Sequence, residues 1–291
     1  YSDATKPTFG FGDEQLIPIY RYNAEDIVGT SGVLTSDDSR RVEAVLLPEG
    51  LDPELGNFTV YLNGSLAAVV LDSVNAINVE RDYAPDRLCA HQMAYQLLPN
   101  AVTARALSLL DVENTAVQND LDQFIPRDID DIVSLQREDG GWGWCLTIES
   151  NPSLTAYILL ALDKAGEAGY SVPQDAVNRA ADYLRGEIEN PARLNNSGYQ
   201  ANTEAYYLYV LAEVGQNITA EADALFDENV GLLDAAGLAY LLHAYELSGG
   251  SANQETLLAD LNGLAVVSAT GAHWESDGYQ SLWSDIQTTA V

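Results

Sequence analysis

The sequence predicts a mainly α fold, an α/α toroid of helix hairpins preceded by a small antiparallel β segment. Three observations predict it. Apolar segments of one type recur along the chain: Leu154-Thr-Ala-Tyr-Ile-Leu-Leu-Ala-Leu162, Thr203-Glu-Ala-Tyr-Tyr-Leu-Tyr-Val-Leu211 and Ala236-Gly-Leu-Ala-Tyr-Leu-Leu-His-Ala244. Each is apolar nearly all round, the pattern of a helix buried on most sides. Amphipathic segments alternate with them, at residues 174–184, 220–226 and 254–261, so that hairpins recur at periods of about 35 to 50 residues. This alternation describes an inner ring of apolar helices covered by an outer ring of amphipathic ones. A superhelical solenoid is the competing arrangement, but its binding helices usually expose polar faces, and these inner helices do not.

The elements follow in chain order. Residues 1–62 hold β-branched and aromatic runs, Leu16-Ile-Pro-Ile-Tyr-Arg-Tyr22, Arg41-Val-Glu-Ala-Val-Leu-Leu47 and Asn57-Phe-Thr-Val-Tyr-Leu62, separated by turn clusters. They read as strands. So few strands cannot close a sandwich alone, so this is expected to be part of a β-domain. Residues 63–291 carry the helical repeats. Asn151 with Pro152 starts one helix and Pro173 the next, while Gly215 and Gly249 end others. Gly-aromatic turns, Gly140-Gly-Trp-Gly-Trp144 and Gly198-Tyr199, lead two of the apolar helices. Gln287-Thr-Thr-Ala-Val291 opens a fourth copy, so the toroid is expected to be truncated at its C-terminus.

Charge and composition exclude some functions. Thirteen basic against 44 acidic residues give a formal charge of −31 in a chain of 291 residues. A polyanion repels nucleic acid and anionic membranes, so neither is an expected partner. At 47% hydrophobic residues the chain can bury a core. No apolar run approaches the roughly 20 residues of a membrane span.

The chemistry concentrates at Cys89-Ala90-His91-Gln92. A Cys and a Gln three positions apart at a helix start share a face. A thiol beside a carboxamide can displace ammonia and leave an intramolecular thioester. Two bland alternatives stand beside this one: Cys89 as a small buried hydrophobe, or as the disulfide partner of Cys145. Cys145, with no Gln at that spacing, reads as core. His91, His243 and His273 show no metal-ligand spacing, and neither a metal nor a cofactor is expected. His243 falls in a buried helix and reads as a core histidine, and helix geometry points His91 away from Cys89. Asn57, Asn63, Asn195 and Asn217 begin glycosylation sequons, patterns that recur by chance.

With Leu88 before it and Met93-Ala-Tyr-Gln-Leu-Leu-Pro99 after it, the tetrapeptide resembles the thioester motif of the α2-macroglobulin family, written Cys-Gly-Glu-Gln in animals and often Cys-Leu-Glu-Gln in bacteria. His91 stands where the family has Glu. Residues 56–67 resemble the strand and first helix that enter the thioester domain of bacterial members. Gln136-Arg-Glu-Asp-Gly-Gly-Trp-Gly-Trp144, followed by Leu154-Thr-Ala-Tyr157, resembles the second helix pair. The resemblance covers residues 16–291 and implies that 1–62 is part of a CUB-like domain into which the toroid is inserted. It implies an endopeptidase inhibitor used once, in bacterial defence, and no turnover. A lysine amine of a target protease attacks the Gln92 acyl carbon and Cys89 leaves as thiolate. The bond must be kept dry until triggered, and Tyr95, Trp142 and Trp144 are the candidate shields. The resemblance further implies an extracellular or periplasmic setting, possible anchoring through other regions, and contacts with other domains of a parent protein.

A second resemblance competes. Gln136-x-x-x-Gly140-x-Trp142 fits a repeat of the triterpene cyclases, which are also toroids, and Asp128-Ile-Asp-Asp131 matches their acidic proton donor. There, clustered carboxylates keep one member protonated. Here the two motifs adjoin within one helix and its following turn, whereas the cyclases keep them apart. The bland reading of the aspartates is a solvated helix face in an acidic protein.

Overall fold

In a computed structural model of the chain, the described residues are 89–110, 115–145, 149–190, 197–268, 271–276 and 285–290, with isolated positions between 40 and 60. Contacts divide the chain into two units, Tyr1–Leu62 and Asn63–Val291. The strands expected before residue 63 lie outside the described residues apart from those isolated positions.

The described part of the second unit is an array of helix pairs. The apolar helices are α1 (Ala90–Leu109), α3 (Pro152–Glu167), α5 (Gly198–Glu213) and α7 (Ala235–Leu247). Each packs on the next: α1 on α3, α3 on α5, α5 on α7. The intervening helices α2 (Thr115–Ser134), α4 (Gln174–Ile188), α6 (Thr219–Asn229) and α8 (Gln254–Gly263) lie against their hairpin partners. The short α9 (Asp285–Ala290) packs on α7 and continues the inner series. The inner and outer layers that the sequence predicts are therefore present.

Composition explains the layering. On α3 the side chains of Ala156, Ile158, Leu159, Ala161, Leu162 and Ala165 are all inaccessible to solvent. Alanines spaced among leucines let neighbouring helices approach on more than one side. Burying each large aliphatic side chain contributes about 1.5–3 kcal/mol. Helix α4 instead buries Ala176, Val177, Ala180, Ala181 and Leu184, a single stripe at helical spacing.

The expected boundaries hold. The Asn151 side chain accepts from the Leu154 N–H at 2.9 Å with Pro152 in the first turn. Pro173 is the N-cap of α4. Gly215 and Gly249 have positive φ just past α5 and α7, the left-handed turn that closes a helix. A two-stranded antiparallel hairpin, β1 (Val266–Ser268) with β2 (Gly271–His273), follows α8. Among the described residues no helix is long and apolar enough to cross a membrane.

Candidate functional site

The Gly140–Trp144 turn delivers the site. Gly140 has φ +88°, and a Cβ there would lie 2.3 Å from the Arg179 carbonyl oxygen, so only glycine lets the turn approach α4. Gln136 donates to the carbonyls of Gly140 at 2.9 Å and Ala176 at 2.8 Å. Trp142 is fully buried. Its indole N–H donates to the Ile132 carbonyl at 2.8 Å and its backbone N–H to Thr155 Oγ1 at 2.9 Å. The Trp142 carbonyl accepts from the Asn151 N–H at 2.8 Å. Clamped in this way, the turn presents Trp144 and Cys145 at the surface.

Opposite them is the head of α1. Cys89 is its N-cap, in extended conformation (φ −124°, ψ 119°), with no side-chain capping bond. Its sulfur forms a disulfide with Cys145, the Cα atoms 5.0 Å apart across 56 residues of sequence, a separation ordinary for a disulfide. No free cysteine remains. His91 Nδ1 lies 3.6 Å from Cys145 Sγ. The His91 ring meets Trp144 at 5.1 Å and Tyr95 at 6.0 Å between centroids, and Tyr95 meets Tyr157 at 5.2 Å. Burial lowers the His91 pKa from its ordinary value.

Several expectations are corrected here. Cys89 and Gln92 were expected on one helical face, but Cys89 precedes the helix and is extended, so helical spacing does not govern its side chain. Cys89 is 6% exposed while Gln92 is exposed. Joined to Cys145, Cys89 carries no acyl bond to Gln92 in this structure. The bland disulfide alternative is the one observed. Cys145, expected as core, is exposed and bonded. His91, expected to point away from the cysteine, sits beside the disulfide for the same reason: Cys89 is not helical. Of the candidate shields, Tyr95 is 50% and Trp144 39% exposed. Trp142 is buried within the core and anchors the turn.

The remaining candidates fall elsewhere. His243 is exposed beside Glu246 rather than buried, at 3.8 Å. His273 lies in β2, exposed, 3.9 Å from Glu275. Asp128 is buried and Asp130 exposed on α2, so the Asp128–Asp131 group does not converge on one space. Gln136 and Trp142 are accounted for by the turn they hold. Sequence reasoning missed the clasp around Lys164, whose ammonium lies 2.6 Å from Glu213, 3.1 Å from Asp163 and 3.3 Å from Glu167, while Arg105 pairs with Glu167. Lys164 is one of only 13 basic residues, and its isolation within an apolar helix is the signal that could have found it.

No family model matches the chain. Among curated proteins, Alpha-2-macroglobulin of Thermotoga maritima is 34% identical over 97 residues, 33% of this chain, and that of Escherichia coli is 32% identical over 112 residues, 37% of this chain. Each match spans 6% of the relative's length. Among solved structures, the native conformation of E. coli alpha-2-macroglobulin has a TM-score of 0.52 at 22% identity, over 68% of this chain and 12% of that one. E. coli alpha-2-macroglobulin activated by porcine elastase gives 0.55 at 21%, over 74% and 19%. Salmonella alpha-2-macroglobulin reacted with methylamine gives 0.53 at 22%, over 70% and 13%. The structural likenesses establish the fold, and the sequence matches support the same family.

Proposed function

We propose that this chain, whose sequence and fold support the bacterial alpha-2-macroglobulin family, supplies the helical domain of a protease inhibitor. In the state described here it acts without an acyl bond. The Cys89–Cys145 disulfide carries that reading, because one sulfur cannot hold both a disulfide and an acyl group. The domain binds, turns nothing over, and takes target proteases and the other domains of a parent protein as its partners. A disulfide persists in an oxidising compartment, which agrees with an extracellular or periplasmic setting.

A second reading is favoured by the Cys89-to-Gln92 spacing and by the Salmonella relative described as reacted with methylamine. In it Cys89, once free of Cys145, displaces ammonia from Gln92 and stores the acyl group. A lysine amine of the captured protease then takes the acyl group, and Cys89 leaves as thiolate. Tyr95 and Trp144 lie near the head of α1, where shielding would be needed.

Intact mass and thiol counting separate the two. The disulfide reading expects no ammonia loss, no thiol before reduction and two after it, and no adduct with methylamine. Ammonia loss after reduction, with one methylamine added at Gln92 and one thiol released, would establish the thioester instead. The shared premise is tested by assay of proteolysis. If the full protein slows no protease acting on a protein substrate, the inhibitor reading fails in both forms.

A further inference from the structure

We propose that Cys89, Cys145 and His91 form a metal site that, once the disulfide is reduced, holds one thiophilic divalent cation of the zinc class. The ligand atoms of these three residues all lie within 4.8 Å of one another. The spacing fits the ion. Zinc lies about 2.3 Å from a thiolate sulfur and about 2.0–2.1 Å from an imidazole nitrogen, so a tetrahedral site sets sulfur and nitrogen about 3.5 Å apart. Cys145 Sγ and His91 Nδ1 are already 3.6 Å apart.

Only the separation between the two sulfurs must change. Two thiolates on one tetrahedral zinc are about 3.8 Å apart and disulfide sulfurs about 2 Å apart, so the pair must part by a little under 2 Å, a distance that a χ1 rotation of one cysteine covers. Cys145 can supply that motion, since it lies exposed at the end of the turn. The other two donors are held. Cys89 is the N-cap of α1, its backbone carbonyl accepting from the Gln92 N–H at 3.0 Å, and the His91 ring is flanked by Trp144 and Tyr95. Two thiolates neutralise the ion, and the fourth position opens to water on the exposed side of Cys145. The formal charge of −31 concentrates cations around the protein as a whole.

The chemistry balances with a phosphine reductant. The phosphine gives two electrons to the S–S bond and becomes the phosphine oxide, with water supplying the oxygen and the two protons. Zinc then displaces both thiol protons to solvent. The site does not depend on the inhibitor reading, and it excludes the thioester while the ion is bound, because Cys89 ligates it.

The test is a titration of phosphine-reduced protein with Zn²⁺ against a chromophoric chelator, repeated with Co²⁺ by absorption. One equivalent of zinc is expected, with a Co²⁺ spectrum showing thiolate-to-metal charge transfer and tetrahedral intensity. The oxidised protein should not bind in this range. Cys145→Ser and His91→Gln should each weaken binding at least about tenfold, since even the loss of a group that only orients a ligand costs about 10–100-fold, with unchanged far-ultraviolet circular dichroism. The Co²⁺ spectrum of the wild type needs no variant and guards against misfolding. Equal binding by oxidised and reduced protein, a spectrum without sulfur ligation, or a His91→Gln affinity equal to wild type overturns the proposal. Because no metal enters the methylamine experiment, failure here leaves the function reading to its own test.

Discussion

The carboxamide oxygen of Asn202 accepts the Asp234 backbone N–H at 3.0 Å, tying α5 to the start of α7. Asp234 in turn caps α7, its Oδ1 accepting from the Gly237 N–H at 2.9 Å. This junction fits only because residue 237 has no side chain: a Cβ there would lie 2.0 Å from Asn202 Oδ1.

Gly237→Ala is therefore expected to destabilise by about 1–3 kcal/mol through overpacking. Asn202→Ala should cost about 1–3 kcal/mol by leaving a buried N–H without its acceptor. Because the clash is with the very atom that Asn202→Ala removes, the double variant should lose less than the sum. Urea unfolding of the four proteins completes the cycle. Strict additivity would show that the two residues do not meet.

The Gln136-to-Trp142 motif makes a second prediction. Trp142→Phe keeps an aromatic ring in the core but removes the donor to the Ile132 carbonyl and part of the buried volume, so at least about 1–3 kcal/mol should be lost. Gln136→Ala should act in the same direction by freeing the turn from Gly140 and Ala176. Neither the variants nor the wild type should cyclise a polyprenyl substrate. Cyclisation of such a substrate that is lost in Asp130→Asn would instead establish the cyclase resemblance.

What the sequence made legible follows from where each signal resides. All-round apolarity is local, so α3, α5 and α7 could be read directly, as could Asn151, Pro173 and Gly215 at their boundaries. The state of Cys89 is not local. It depends on an extended N-cap conformation and on a turn 56 residues away that Trp142 pins to the core. Helical periodicity applied one residue too early put Cys89 on the face of Gln92 and turned His91 away. His243 misled differently: α7 is apolar in composition, yet His243 faces out with Glu246 and Leu247. The β1–β2 hairpin was missed because strands of three residues are too short for alternation to show.

A third prediction concerns pH. Burial, with the negative charge of Glu228 added, pushes the Glu204 carboxyl up from 4.5 to about 7. A folded-state pKa above the unfolded value means that the folded chain binds more protons between the two. The contribution is fully present below about pH 4.5 and is lost as pH rises through about 7. Glu204→Gln cannot ionise, so its melting temperature should match wild type near pH 4.5 and exceed it above pH 7. Parallel curves across that window would show that Glu204 is ordinarily solvated.

The last prediction follows from the Lys164 clasp. Burial alone would lower the Lys164 pKa, but hydrogen bonds to Glu213 and Asp163 outweigh it and raise the pKa overall. Lys164→Met would leave the carboxylates of Asp163, Glu167 and Glu213, which lie within 4.8 Å of one another, without that ammonium. Removing one member of a largely buried ionic group costs about 3 kcal/mol, and the Arg105 pair with Glu167 offsets only part of the repulsion left behind. Urea unfolding should show that loss, and adding Glu213→Gln should recover part of it by removing one negative charge. Salt separates the terms. Screening shortens from about 10 Å at 0.1 M to about 3 Å at 1 M, so concentrated KCl should stabilise both proteins but narrow the gap between them. If the gap stays constant with salt and Glu213→Gln restores nothing, packing of the lysine stem, and not its charge, holds α3 against α5.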